Sequence, residues 1–377
     1  MTYTLPPLPG PASRDVAEKS AETMDWLRTH VLVGYTDERG PAWWSNAITK
    51  DGQWEMPEGS HFPGAVPMRK VTKLLDVRLV KGTSYVSYLD DEGEEQVIKD
   101  EENFPIVNAT TGKIFGYPRD GYTIHPYLDT LKVFMERILH DESVAVGSAG
   151  LLRKGGVAFL QARLPEHYEV QGYGYVPYLT GVTSADRTRR TTYLTWILAS
   201  ICDNTLNSAV LGAYSKVGIR HSRNSLLAVQ AARERLGIQL AQVGDEVANG
   251  IENLLKIDVS EREFTKWLDL SVPLPEYKES ASGTGGKGYT QAENKREAMM
   301  ALWSHDEKVK PWAGTAFGVL QLDNTYRVWS GMVRGAEGGR FERNYTNDIL
   351  GKAAAADEEA LSRLAQVKRR KSLLAVA

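Results

Sequence analysis

The sequence is poor in cysteine and in long apolar runs, and each of these shortages removes a class of protein. One cysteine, Cys202, stands among 377 residues, so neither a disulfide framework nor a cysteine zinc cluster can form within the chain. The chain has no apolar run of about 18 residues or more, and its start has no basic and apolar leader. We therefore expect a cytoplasmic protein without a membrane partner.

Motifs of common enzymes are also missing. The seven histidines contain no HExxH pair, and no GxSxG motif is present. The segment SGTGGKGY resembles a phosphate-binding loop, but Ala281 stands where that loop needs its first glycine, and Gly288 where it needs Ser or Thr. The sequence thus predicts no catalytic residue, no metal and no nucleotide cofactor. A metal-dependent nuclease, with carboxylates converging from separate strands, stays open as an alternative.

Hydrophobic spacing and turn residues divide the chain into five segments. They are an arm and helix at 1–33, a β-rich region at 34–122, a central core with following helices at 123–279, a Gly/Ser linker at 280–290 and a helical region at 291–377.

In the β-rich region, β-branched and aromatic residues predict four strands. They are Val71–Val80, Thr83–Leu89, Glu95–Lys99 and Lys113–Tyr117. The turn between the second and third strands is strongly acidic, which is typical of a solvated hairpin.

The central segment predicts a helix, then antiparallel strands, then a second helix. Pro126 opens a helix that ends near His140, and the second helix is expected after the N-cap candidates Asp203 and Asn204. The strands between them are predicted at Ser143–Leu152, 157–164, Tyr173–Ser184 and Thr191–Ile201. The fold class is therefore α+β, with an antiparallel sheet of three to four strands in the core.

The C-terminal half is predicted to be mainly helical. Capping boxes at Ser260 and Glu263, and at Thr290 and Glu293, mark two helix starts. Further amphipathic helices are expected at Arg223–Gly237, Gln239–Lys256 and Ala353–Lys371.

Positive charge is concentrated in the central segment, although the net charge is only -3. Residues 150–225 contain nine Lys or Arg against four Asp or Glu, and most of these cations fall at predicted turns or helix ends. The candidate phosphate contacts are Arg153, Lys154, Arg187, Arg189, Arg190, Arg220 and Arg223. Tyr173 and Tyr175 lie between these clusters, and aromatic rings among cations are typical of proteins that stack single-stranded bases. Solvated arginines and core tyrosines are the alternative interpretation of the same residues.

An ordered series of short motifs also resembles a known family. The motifs are Ser60-His61-Phe62-Pro63-Gly64, Ala149-Gly150-Leu151-Leu152 with Gly155, Pro177-Tyr178-Leu179, Thr183-Ser184, Cys202-Asp203-Asn204-Thr205-Leu206, Ile219-Arg220-His221-Ser222 and Gly314-Thr315-Ala316-Phe317-Gly318, with Arg343 and Gly351. Over most of residues 40–365 they resemble the phage and plasmid-like family that carries domain of unknown function 932. The order of helix, strands and helix is similar, at the level of fold, to the single-strand annealing proteins Red-beta, RecT and Erf.

These observations lead to one expected function and two alternatives. We expect a phage-type recombination protein that binds single-stranded DNA and promotes strand annealing without a cofactor. The resemblance implies a homo-oligomeric ring or filament with a continuous basic groove, and a phage exonuclease is a candidate partner. A metal-dependent DNA-processing nuclease and a non-enzymatic protein-interaction factor of a mobile element are the alternatives.

Overall fold

The structure is a computed structural model. It describes residues 26–35, 58–140, 145–163, 168–199, 205–206, 216–221, 247–278, 286–330, 352–369 and 373. The predicted helix Arg223–Gly237 and the candidate Arg223 lie outside these residues.

The strands of the described residues are numbered in chain order. They are β1 Val31–Tyr35, β2 His61–Pro63, β3 Leu79–Lys81, β4 Tyr85–Leu89, β5 Glu95–Lys99, β6 Ile106–Asn108, β7 Ile114–Gly116, β8 Ala145–Leu152, β9 Val157–Arg163, β10 Tyr168–Val170, β11 Tyr173–Ser184, β12 Thr191–Ala199, β13 Thr205–Leu206 and β14 Lys216–Ile219.

The helices of the described residues follow the same order. They are α1 at 26–30, α2 Met68–Leu75, α3 Tyr127–His140, α4 at 247–255, α5 Glu261–Ser271, α6 Lys287–His305, α7 Ala316–Thr325 and α8 Lys352–Val367. None of these helices is both long and apolar enough to cross a bilayer.

A nine-stranded sheet organises the fold, with the order β13-β12-β11-β9-β8-β1-β2, while β10 pairs with β11 and β14 with β12. All of its pairs are antiparallel except β1 with β2. Two smaller sheets, β3-β6-β7 and the hairpin β4-β5, precede α3 in the chain. The fold is α+β, with helices in the C-terminal half, as predicted.

Strand β8 can lie in the middle of this sheet because its glycines leave room for aromatic rings. A Cβ atom on Gly147 would lie 2.6 Å from Cε1 of Tyr178, and one on Gly150 would lie 2.6 Å from Cε1 of Phe159. Rings from neighbouring strands therefore fill the space above the glycine backbone.

Strand β11 separates its two faces with the period of two that a strand requires. Tyr173, Tyr175 and Leu179 belong to the main core cluster, whereas Val176 and Tyr178 belong to a smaller cluster that also contains Leu194. The main cluster extends from Leu32 to Leu373. The central sheet and the C-terminal helices therefore share one apolar core.

Several predicted elements are confirmed. Strands Glu95–Lys99 and Tyr173–Ser184 and the helix that ends at His140 occur at the predicted positions. Helix α5 begins with the predicted capping box, in which Ser260 Oγ accepts a hydrogen bond from the Glu263 amide.

Three other local predictions are wrong. The expected strand Val71–Val80 is helical at Met68–Leu75, because its apolar residues bury Val71 and Leu75 at helical spacing. The expected helix after Asn204 is contradicted at Thr205–Leu206, which pair with Leu198 and Ile197 of β12 instead. The helix expected to start at Thr290 begins earlier, at Lys287, with Gly286 as its N-cap.

A cationic end of the central sheet

Two basic turns that are distant in sequence meet at one end of the central sheet. The turn 153–156 joins β8 to β9, and the turn 185–190 joins β11 to β12. Because β9 pairs antiparallel with β11, with Val157 opposite Ser184, both turns lie at the same end. The amides of Ala185 and Asp186 donate to the Gly156 carbonyl at 2.9 and 3.2 Å.

A third basic segment reaches the same end through β14. Ile219 pairs with Thr191, the first residue of β12, so Arg220 follows the last paired residue of β14 at this end. We call this region the cationic end. It comprises Arg153, Lys154, Asp186, Arg187, Arg189, Arg190 and Arg220.

The cationic end combines six cations with one carboxylate, and five of the six cations are exposed. Nη1 of Arg153 pairs with Oδ2 of Asp186 at 3.2 Å, which joins the two turns directly. Arg187 reaches the residue that follows β7, where its Nη1 donates to the Tyr117 carbonyl at 2.7 Å. With six positive charges and one negative charge, the cationic end carries a net positive charge.

Arg189 is the half-buried member of the group. Burial, followed by the repulsion of nearby Arg153, lowers the pKa of Arg189 to about 10. The direction of this shift agrees with cations held close together in a partly desolvated site.

Three cations of this end occupy backbone conformations that side chains with a Cβ atom rarely adopt. The φ angles of Arg153, Lys154 and Arg187 are 53°, 54° and 61°. A non-glycine residue in this left-handed region is destabilised by roughly 1 kcal/mol. Glycine or asparagine would adopt these backbone angles with less strain than arginine or lysine does.

Beneath the cationic end lies a polar cluster that the sequence did not reveal. Thr191 Oγ1 lies 2.8 Å from His125 Nδ1, 3.1 Å from His221 Nε2 and 2.9 Å from Thr183 Oγ1. Tyr122 Oη lies 2.7 Å from His221 Nδ1, and the two imidazole rings stack with their centroids 3.9 Å apart. These residues come from a loop and three strand ends, and no spacing rule connects them.

The two histidines of this cluster are held in the neutral form. Burial lowers the pKa of His125 to about 4. Burial, with a smaller contribution from His125, lowers the pKa of His221 to about 3. The cluster is therefore a neutral hydrogen-bonded layer below an exposed positive surface.

Both tyrosines expected at the site are buried instead, which corrects the interpretation from sequence. Tyr173 and Tyr175 are 1% and 0% exposed. The Tyr173 ring packs edge-on against Trp312 and Phe317, with centroids 5.3 and 5.0 Å away, and Tyr175 stacks on Tyr168. Strand alternation turns both rings into the core, where no base can reach them. Tyr117 is the exposed aromatic residue next to Arg187, with 48% of its surface accessible.

Across the part of the chain that the structure describes, no group of three or more His, Cys, Asp or Glu side chains is arranged to hold a metal ion.

Comparison with known protein families locates this end within a recognised domain. Residues 115–348, more than half of the chain, match the family model of a domain of unknown function, DUF932. The chain belongs to the DUF932 family. The DUF932 match begins within β7 and includes every residue of the cationic end, whereas the motif Ser60–Gly64 and the hairpin β4-β5 precede it. No curated protein and no solved structure matches the chain.

Proposed function

We propose that this protein binds single-stranded DNA at the cationic end of its central sheet. The observation that carries the proposal is the convergence of three basic segments, distant in sequence, on one end of one sheet. Guanidinium groups match phosphate geometry, so such a cluster favours binding to the nucleic-acid backbone without reading its sequence.

The position of the cations relative to the fold supports this proposal. Arg190 precedes β12 and Arg220 follows β14, so both exposed side chains lie at the same end of this strand pair. Thr191, the first residue of β12, contacts the histidine cluster. A rigid base that presents mobile cationic side chains suits a flexible polyanion, because the sheet fixes the spacing of the charges.

In place of the buried tyrosines, we assign base stacking to Tyr117. Its ring is exposed, and its carbonyl accepts from Arg187 of the cationic end. Stacking of a base on an exposed ring contributes about 1–3 kcal/mol, so Tyr117→Ala is expected to weaken binding roughly tenfold.

Binding is tested by fluorescence anisotropy with a labelled single-stranded oligonucleotide at several salt concentrations. We expect Arg190→Gln with Arg220→Gln to lower affinity and to reduce the slope of log K against log salt by about 0.7 for each lost phosphate contact. The matched control is Arg262→Gln with Lys266→Gln, two exposed cations of α5. Equal affinities of the two double variants, or binding that salt does not weaken, would contradict the proposal.

The wider proposed role is strand annealing by a phage-type recombination protein. It includes a fold-level similarity to the annealing proteins Red-beta, RecT and Erf, a ring or filament in which cationic ends form one groove, and a phage exonuclease as a partner. Mixing two complementary labelled strands with the protein tests this role. Annealing should be faster with the wild type than with the Arg190→Gln, Arg220→Gln variant.

The same reaction separates annealing from the nuclease alternative. An annealing protein leaves strand length unchanged with magnesium or manganese, whereas a nuclease shortens the strands. A protein-interaction factor would retain no oligonucleotide at any salt concentration.

A further inference from the structure

The hairpin β4-β5 is exposed on both sides. All ten of its strand residues are exposed, including Tyr85 at 64%, Leu89 at 69% and Val97 at 63%. A two-stranded hairpin without a packing partner is at best marginally stable in water. An apolar hairpin of this kind is typical of a segment that packs against another molecule.

Apolar residues occur on both faces of this hairpin. Val86 pairs with Ile98 across the strands, and Tyr88 lies on the same face. Tyr85, Leu89 and Val97 occupy the opposite face, since side chains alternate along each strand. Most of the hairpin surface is therefore suited to burial in an interface.

The tip of the hairpin is strongly acidic and ordered. Asp90, Asp91, Glu92, Glu94 and Glu95 lie at the turn, and no Lys or Arg occurs between residues 82 and 98. Asp90 accepts hydrogen bonds from the amides of Glu92 and Glu94 at 3.1 and 2.9 Å, and from Gln96 Nε2 at 2.8 Å. These bonds order the backbone of the turn that carries the other carboxylates.

The chain carries a surface of opposite charge that matches this tip, the cationic end. Among the described residues, no ion pair joins the tip to the cationic end of the same chain. Two complementary surfaces that do not meet within one chain can meet between copies. Such a contact is heterologous, so it adds further copies head to tail.

We propose that the acidic hairpin of one copy docks on the cationic end of a second copy, and that single-stranded DNA displaces it. This inference rests on the proposed function, because hairpin and DNA use the same cations. Both ligands are polyanionic, so binding of one excludes the other. Free protein is then a salt-sensitive assembly whose contacts open as DNA binds.

Sedimentation velocity of the full chain at several protein and salt concentrations tests the contact. The tip variant Asp91→Asn, Glu92→Gln, Glu94→Gln keeps Asp90, which orders the turn. We expect the wild type to associate at low salt and this variant to remain monomeric. The control Glu276→Gln, Glu307→Gln, Glu358→Gln removes three exposed carboxylates elsewhere and should associate as the wild type does.

Mixing two variants gives the sharper test. The tip variant keeps its cationic end, and the Arg190→Gln, Arg220→Gln variant keeps its tip. Each alone should be monomeric, while an equimolar mixture should form a one-to-one dimer and nothing larger. A mixture that stays monomeric, or a tip variant that associates like the wild type, overturns the inference.

Addition of a single-stranded oligonucleotide of about 10 nucleotides, which is too short to join several cationic ends, should dissociate the wild-type assembly. If the variants dimerise as expected but no oligonucleotide binds, only the proposed function fails. If the oligonucleotide binds but the tip variant still associates, only the hairpin contact fails.

Discussion

The cationic end and the acidic hairpin differ in how the rest of the fold supports them. The cationic end lies on the nine-stranded sheet, above a cluster of buried and half-buried histidine, threonine and tyrosine side chains. The hairpin has two strands and no buried residue in either. The first region belongs to the DUF932 match, and the second precedes it.

This difference shows how charge is presented in two ways within one chain. At the cationic end, backbone and buried polar groups fix where the cations stand, so a change below the surface disturbs both folding and charge. In the hairpin, the side chains make few contacts, so a change should affect association and leave folding intact. The predictions below compare the two regions.

The largest contrast is expected between two tyrosines. Tyr173→Ala removes a ring that packs against Trp312 and Phe317, and it should lower the free energy of unfolding by about 3–5 kcal/mol. Tyr85→Ala removes an exposed hairpin ring and should change the free energy of unfolding by no more than about 0.5 kcal/mol. Urea unfolding measures both. Similar losses in the two variants would mean that the hairpin is packed like the core.

The buried histidines predict a pH dependence that the hairpin cannot produce. The pKa values of His125 and His221 are lowered to about 4 and about 3, whereas both are near 6.5 in an unfolded chain. As pH falls from 6.5 towards 4, the unfolded state binds protons first, so stability decreases.

The matched measurement isolates this contribution. Between about pH 7 and 5, each of the two histidines contributes about 2 kcal/mol to the loss of stability, so the His125→Gln, His221→Gln variant should lose about 4 kcal/mol less stability than the wild type does. His305→Gln, which changes an exposed histidine, should follow the wild-type curve. Parallel curves for the wild type and the double variant would refute a neutral histidine pair.

A smaller contrast is expected between two glycines. Gly147→Ala brings a Cβ atom within 2.6 Å of the Tyr178 ring in the central sheet, so it should lower stability by about 1–3 kcal/mol. Gly93→Ala, at φ +82° in the hairpin turn, meets nothing within 4 Å and strains only the turn. Global unfolding of that variant should stay within about 0.5 kcal/mol of the wild type. A large loss at Gly93 would show that the hairpin unfolds together with the sheet.

The smallest effect tests whether cations at the end of the sheet are retained at the expense of stability. Lys154→Asn places a residue that tolerates a positive φ where the backbone has φ 54°. We expect this variant to be as stable as the wild type or more stable by up to about 1 kcal/mol. Its affinity for single-stranded DNA should decrease. Lys154→Gln removes the charge without relieving the backbone, so it should lose affinity and gain no stability. Destabilisation by Asn would exclude backbone strain at this position.

Local patterns determined much of the architecture in advance. The alternation of Tyr173–Ser184 and the capping box at Ser260 act over a few neighbouring residues, so they could be identified without a fold. Where two local patterns competed, the tertiary structure selected one. The segment Met68–Leu75 has β-branched residues and helical spacing, and burial of Val71 and Leu75 favoured the helix.

The candidate site divides in the same way. The sequence by itself determined that basic residues occur at turns, because charge and turn propensity are properties of single positions. Only the tertiary structure decided that these turns share one end of the sheet, that Tyr173 and Tyr175 face the core, and that His125 and His221 stack. Strand register sets these relations, and register depends on pairing between residues far apart in the chain.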